Sequence, residues 1–113
     1  MIIINRLENN IDQVTFNKLE KFNALIADDI STELKKLFEA PNSRVIIDLE
    51  GIKYIDSSGF GCFLTTMKAA RNNYGTLKLC NLIPEVESLF RSLQLHTVFE
   101  LYDDLETCIT SFR

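Results

Sequence analysis

Short apolar runs alternate with stretches of helical periodicity along most of this chain, and the alternation restricts its fold more than any other feature. Arg44–Leu49 is an almost continuous apolar run, which is typical of a central strand covered on both faces. Apolar residues then recur at helical spacing until Gly75, a natural helix stop, at Phe60, Phe63, Leu64 and Met67. Thr76–Cys80 reads as the next strand, and such strand–helix–strand order predicts right-handed crossovers and parallel pairing.

The N-terminal part predicts a hairpin followed by a helix. Ile2–Leu7 and Ile11–Phe16 are short β-branched runs that flank Glu8–Asn10, and asparagine tolerates the positive φ that a tight turn requires. A helix is then expected from Asn23, which can act as its N-cap, to a point before Pro41. Its apolar stripe is formed by Ala27, Ile30, Leu34, Leu37 and Phe38.

The C-terminal part predicts two more helices and a short strand. Pro84 suits a first helical position, and the buried face of that helix is expected to be Val86, Leu89, Phe90 and Leu93. Val98–Leu101 is the expected last strand. Asp103 and Glu106 have the spacing of a capping box for a final helix, with an inner face of Leu105, Cys108, Ile109 and Phe112.

The predicted fold class is therefore α/β. The element order is β-β-α-β-α-β-α-β-α, with about four α-helices on a mixed, mostly parallel β-sheet, and residues 1–113 are expected to form one domain.

Composition excludes several functional classes. The formal net charge is −4 and the twelve Lys and Arg residues are scattered, which argues against a nucleic-acid partner. The three cysteines, Cys62, Cys80 and Cys108, are far apart and flanked by apolar residues, so we expect buried thiols and no metal site. No apolar run reaches the length of a membrane span or of a signal peptide, so we expect a cytoplasmic protein with no membrane insertion.

One turn concentrates reactive side chains, in the stretch YIDSSGFGCF of residues 54–63. Its polar and glycine residues are Asp56, Ser57, Ser58, Gly59 and Gly61. The turn lies where a strand passes into a helix, which in α/β sheets is where working groups are exposed. Aspartate and serine are also favoured N-caps, and the two glycines would let the first helical turn pack close to the sheet.

Catalysis at this turn is disfavoured. A serine nucleophile needs a positioned base, and the one histidine, His96, lies late in the chain, where we expect a surface or boundary position. The glycines follow the two serines rather than bracket either, and no phosphate-binding loop with its lysine is present. We therefore expect no enzymatic activity and no cofactor. A serine at an exposed helix start is instead accessible to a kinase, and a phosphate there would alter the binding surface more than the fold.

From about Val45 to its end, the chain resembles the STAS-domain family, in particular the bacterial anti-sigma-factor antagonists. The resemblance rests on Asp48-Leu49 followed by Asp56-Ser57-Ser58-Gly59-Phe60-Gly61, and on the later strand and Pro-started helix in LKLCNLIPEVESLFRSLQL. Before residue 40 the chain departs from the family pattern, because Asn23 stands where most antagonists have an aspartate.

The resemblance implies a switch protein. In such families the unphosphorylated antagonist binds an anti-sigma factor, a GHKL-type ATPase that is also a serine kinase, and a PP2C-type phosphatase reverses the modification. The phosphorylated residue maps to Ser57. Asp56 would position its hydroxyl, Ser58 and Gly59 would shape the helix start, and Phe60 would lie near the docking face, while ATP belongs to the partner.

Two alternatives remain. The first is a constitutive STAS adaptor, a subunit of a stressosome or of a lipid-transport complex, in which the motif caps a helix and is never phosphorylated. The second is a small enzyme or nucleotide-binding domain that uses the turn from Asp56 to Gly61.

Overall fold

The computed structural model describes residues 2–113. Its strands are, in chain order, β1 (Ile2–Leu7), β2 (Ile11–Phe16), β3 (Lys21–Phe22), β4 (Arg44–Asp48), β5 (Tyr54–Ile55), β6 (Thr76–Cys80) and β7 (Glu100–Tyr102). Its α-helices are α1 (Ala24–Lys36), α2 (Ser57–Asn72), α3 (Pro84–Ser92) and α4 (Leu105–Thr110). Single 3-10 turns occupy Glu8–Asn10 and Leu95–Thr97.

Five strands form one mixed sheet in the order β1-β2-β4-β6-β7. β1 and β2 are antiparallel, whereas β2–β4, β4–β6 and β6–β7 are parallel pairs. The predicted α/β class, the hairpin and the central position of β4 are therefore confirmed. Asn9 and Asn10 take the positive φ values of 63° and 59° that close the hairpin.

β3 and β5 form a separate two-stranded parallel sheet that the sequence did not predict. It lies in the connections that precede α1 and α2, with Lys21 paired with Tyr54 and Phe22 with Ile55. The stretch from Asp56 to Gly61 therefore follows β5 and not the central strand β4. This small sheet fixes where α1 and α2 begin.

The two faces of the main sheet bury different clusters. One face packs against α1, α2 and α3 through a phenyl network in which Phe63 lies between Phe22 and Phe90. The other face carries a smaller cluster closed by α4, made of Ile11, Ile46, Cys80 and Cys108. All three cysteines are free and buried, as predicted.

A buried lysine holds the C-terminal turn on this second face. Lys78 is almost fully buried, and its Nζ donates to the Oγ of Ser111 at 2.8 Å and lies 4.4 Å from the centre of the Phe112 ring. Glu100 lies 3.6 Å away as a partly exposed counter-ion. The charge is therefore paired as a buried ammonium group requires.

Five local predictions were wrong. Leu64 is 40% exposed, because the buried face of α2 runs through Phe60, Phe63 and Met67, and Leu93 is exposed just after α3. The last strand begins at Glu100 rather than at Val98.

The remaining two errors concern helix ends. The cap of α4 is Asp104, whose carboxylate accepts from the N–H of Thr107, instead of the pair Asp103 and Glu106. After α2 the left-handed residue is Tyr74, with φ of 59°, while Gly75 is required by its closeness to Phe38.

No helix within residues 2–113 is both long and apolar enough to cross a membrane. Over the same range, no group of three or more His, Cys, Asp or Glu side chains could hold a metal ion.

Candidate functional site

Asp56 is the N-cap of α2. Its backbone is extended, with φ of −92° and ψ of −176°, and its Oδ1 accepts from the backbone N–H of Gly59 at 3.0 Å. One N–H of the first turn, which has no partner inside the helix, is thereby satisfied. The capping interpretation of this aspartate is confirmed, and Ser57 is the first helical residue.

Asn23 makes the same kind of cap on α1. Its Oδ1 accepts from the N–H of Leu25 at 3.0 Å, so the predicted N-cap is confirmed. Because Phe22 pairs with Ile55, the residues that follow them, Asn23 and Asp56, are neighbours, and the N–H of Asp56 donates to the carbonyl of Phe22 at 3.1 Å. The first turns of α1 and α2 therefore start side by side.

Gly59 allows this close arrangement. A Cβ at position 59 would lie 2.6 Å from Cγ2 of Ile55 and 2.9 Å from the carbonyl oxygen of Phe22, which are distances that real Cβ atoms do not reach. The predicted need for glycine is confirmed here. It is wrong for Gly61, where a Cβ would meet nothing within 4 Å.

The two serines differ in exposure. Ser57 is exposed, and its hydroxyl has no hydrogen bond to another residue within 2–113. Ser58 is half-buried and lines a groove between α1 and α2 of about 320 Å³. The hydroxyl that an external enzyme can reach most easily is that of Ser57.

The groove is lined mostly by small side chains, and Asp28 is its one charged residue. Besides Ser58 and Asp28, its lining includes Ala24, Ser31, Gly61 and Cys62. Burial raises the pKa of the Cys62 thiol to about 11, and hydrogen bonds to Ser31 and Thr66 only partly oppose this effect. Cys62 therefore stays protonated near neutral pH and is a poor nucleophile.

His96 does not line this groove. It lies half-buried in the 3-10 turn after α3, and its Nδ1 is enclosed without a hydrogen-bond partner among residues 2–113. The predicted boundary position is confirmed. The structure therefore brings no histidine base to either serine.

Phe60 is buried at the start of α2, so its place near a docking surface stays a prediction. Its ring is buried and packs edge to face against Phe90, with 5.0 Å between ring centres. The phenyl group anchors the first turn of α2 in the core. The Phe60 ring can therefore affect the binding of a partner only by fixing the position of α2.

The apolar groups that are exposed near the site are Leu25 and Tyr54, which sequence reasoning missed. Leu25 is 90% exposed in the first turn of α1, and Tyr54 is half exposed on β5, two residues before Asp56. Leu25 does not belong to the buried stripe that starts at Ala27, and this position outside the stripe could have indicated from the sequence that it is exposed. Tyr54 gave no such signal, because β5 itself was not predicted.

Comparisons with protein families and with individual proteins each found a match. The family model described as the STAS domain matches residues 3–108. BtrV of Bordetella bronchiseptica, to which the role of anti-sigma factor antagonist is attributed, is 29% identical over 91 residues, covering 80% of this chain and 78% of BtrV.

Solved structures show the same fold. An anti-sigma-factor antagonist (STAS) domain protein from Planctomyces limnophilus superposes with a TM-score of 0.84 at 17% identity, covering 97% of this chain and 96% of that one. SpoIIAA of Bacillus in its phosphorylated form superposes with a TM-score of 0.71 at 16% identity, covering 100% of both chains.

Proposed function

The chain belongs to the STAS domain family, and we propose that within this family it is an anti-sigma factor antagonist whose binding to its partner is switched at Ser57. When unphosphorylated it binds an anti-sigma factor, and phosphorylation of Ser57 releases it. The names of BtrV and of the similar solved structures support the antagonist role.

One observation carries the choice of Ser57. It is the exposed first residue of α2, and the cap of that helix is made by Asp56 and not by the serine. Esterifying the Ser57 hydroxyl therefore costs the fold no hydrogen bond. Ser58 is half-buried in the α1–α2 groove, so it is less accessible to a kinase.

A phosphate at Ser57 would change the surface strongly. It adds roughly −1.5 to −2 charges at neutral pH, and a helix N-terminus tolerates an anion because its dipole favours negative charge. The new charge lies directly beside the carboxylate of Asp56. A partner that covers this end of α1 and α2 would have to desolvate both groups, so binding is lost while the fold is kept.

The partner proposed here is a GHKL-type anti-sigma factor that is itself the serine kinase and carries the ATP. A PP2C-type phosphatase would restore the hydroxyl. We place this exchange in the cytoplasm and assign no catalytic activity to the chain, in keeping with the position of His96 away from both serines and the protonated state of Cys62.

Each motif residue has a part in this proposal. Asp56 and Asn23 fix the two helix starts, Gly59 and Phe60 seat the first turn of α2 on the core, and Ser58 and Gly61 line the adjoining groove. Leu25 and Tyr54 supply exposed apolar surface for the partner.

The experiment is a pull-down from native lysate without ATP, using wild type, Ser57→Ala, Ser57→Asp and Ser88→Asp as parallel baits. Ser88 is exposed on α3 and controls for added charge alone. The proposal predicts one ATPase-type kinase that wild type, Ser57→Ala and Ser88→Asp capture and Ser57→Asp loses. Equal capture of a scaffold or transport component by all four baits would favour the constitutive adaptor instead.

A further inference from the structure

The two edges of the main sheet are protected unequally. β7, at one edge, has three residues, and its exposed Glu100 presents a charge that pairs with the buried Lys78. β1, at the other edge, has six residues and contains no proline, glycine or lysine. Its register with β2 runs from Ile2 to Leu7 without a bulge. Short length, charges, proline and bulges are the usual means of preventing edge pairing, and β1 uses almost none of them.

Two of the four exposed residues of β1 are isoleucines, and they lie on opposite faces. Ile3 is 46% exposed and Ile4 45% exposed, and successive side chains of a strand point to opposite faces. Ile2 packs towards the cluster under α1–α3 and Leu7 towards the cluster under α4. Ile4 therefore lies at the sheet edge on the face that packs against α1–α3. Ile3 lies at the same edge on the face that packs against α4.

We propose that β1 pairs antiparallel with β1 of a second copy of this chain, which joins two five-stranded sheets into one continuous sheet. A free strand edge offers backbone donors and acceptors that an extended strand satisfies best. A two-fold axis always sets a strand antiparallel to itself, so the pairing closes as a dimer and does not propagate.

Charge favours a second copy as the occupant. Arg6 is the one charged residue of β1, and its Nε lies 2.8 Å from Oδ1 of Asp12 on the neighbouring strand of the same chain. With the axis beside Ile4, that residue faces the partner's Ile4, Ile3 faces the partner's Asn5, and Arg6 faces the partner's Ile2. No like charges meet, and both exposed isoleucines enter the new ladder.

The dimer would be weak and reversible. Pairing of two six-residue strands covers far less than the roughly 800 Å² per partner of a standard stable interface. No residue of β1 belongs to the site around Ser57. The inference is therefore independent of the proposed partner switch.

The test is sedimentation velocity of the wild-type chain, free of any tag, between about 10 µM and about 1 mM, a range chosen for weak association. We expect concentration-dependent dimerisation, and we expect Ile3→Lys and Ile4→Lys each to weaken it by at least about ten-fold. Leu25→Lys and Leu93→Lys place the same charge on exposed apolar positions elsewhere and should leave it unchanged. Thermal unfolding of each variant checks that it is folded.

A second measurement needs no variant. Amide hydrogen exchange in wild type should slow, as the protein concentration rises, at the alternate residues of β1 whose N–H groups point away from β2. A wild type that stays monomeric at the highest concentration would overturn the proposal. So would a dimer that Leu25→Lys weakens as much as Ile4→Lys does, or one in which β1 exchange is independent of concentration.

Discussion

Asn23 and Asp56 are neighbouring N-caps. Each follows one strand of the β3–β5 pair, each caps a helix through its side-chain oxygen, and the N–H of Asp56 donates to the carbonyl of Phe22, the residue before Asn23. The starts of α1 and α2 are thus set together by the β3–β5 sheet. Any change of charge at one cap acts on the surface beside the other.

Asn23→Asp tests this coupling. Asparagine and aspartate cap helices about equally well, so unfolding free energy should change by less than about 0.5 kcal/mol. With phosphoserine encoded at position 57, the added carboxylate should raise the second pKa of the phosphate by roughly half a unit, as expected for charges several ångströms apart in water. Phosphorus NMR titration measures this shift.

The matched control is Asn42→Asp, which adds the same charge to an exposed loop before β4. It should leave the phosphate pKa where it is in the unmodified background. Equal shifts from the two substitutions would show that Asn23 has no special proximity to position 57.

Two glycines in α2 should respond in opposite ways to alanine. At Gly59 the new Cβ meets the carbonyl oxygen of Phe22 at 2.9 Å, and backbone cannot move aside easily, so Gly59→Ala should destabilise by about 1–3 kcal/mol. At Gly61 the space is open, and Gly61→Ala should stabilise by about 0.5–1 kcal/mol. Urea unfolding followed by circular dichroism measures both. Similar values for the two variants would mean that the close approach at Gly59 is not real.

Adjacent residues in the same helix should differ as sharply. Phe63 is fully buried between Phe22 and Phe90, so Phe63→Ala should cost about 3–5 kcal/mol. Leu64 is 40% exposed, and Leu64→Ala should cost less than about 1 kcal/mol. The same urea experiment separates them. A loss of several kcal/mol for Leu64→Ala would instead support the sequence-based prediction that Leu64 lies in the core.

The start of α4 should be sensitive to acid. Asp104 accepts from the backbone N–H of Thr107 at 2.7 Å, which lowers the pKa of its carboxyl group. A carboxyl group with a depressed pKa in the folded state contributes stability above its unfolded pKa and loses it as the pH falls through its folded pKa. The cap should therefore be intact at neutral pH and weaken only below the ordinary aspartate range.

NMR titration of the Thr107 amide from about pH 6 to about pH 2 follows this cap. Asp104→Asn keeps the cap without a titrating group, so its Thr107 amide should be insensitive to pH in this range. A wild-type midpoint at or above the value of a free aspartate would contradict the hydrogen bond.

Elements with a strong local signal were predicted from the sequence, and those held by distant contacts were not. The hairpin, the central strand β4 and the four helices follow from alternation, apolar runs and 3.6-residue spacing, all of which are local. β3 and β5 have two residues each and exist because Lys21 and Phe22 meet Tyr54 and Ile55 across the chain. No periodicity can appear in a strand of two residues.

The same reason explains the errors within the site. Spacing alone places Leu64 beside Phe60 and Phe63. The close contact at Gly59, however, sets how α2 is rotated on the sheet, and this rotation leaves Leu64 at the border of the buried helix face. Asp56 and Asn23 were recognised as caps because capping chemistry is local. Their adjacency was not, since it depends on β3 and β5.

The most direct test of the proposed switch is the affinity of the captured anti-sigma factor for three forms of this chain, measured by calorimetry without ATP. These are the unmodified chain, the chain with phosphoserine encoded at position 57, and the chain with phosphoserine at position 88 on α3. We predict that phosphoserine at position 57 weakens binding by about 1–3 kcal/mol and that phosphoserine at position 88 has little effect. Equal affinity of all three forms would contradict a switch at Ser57.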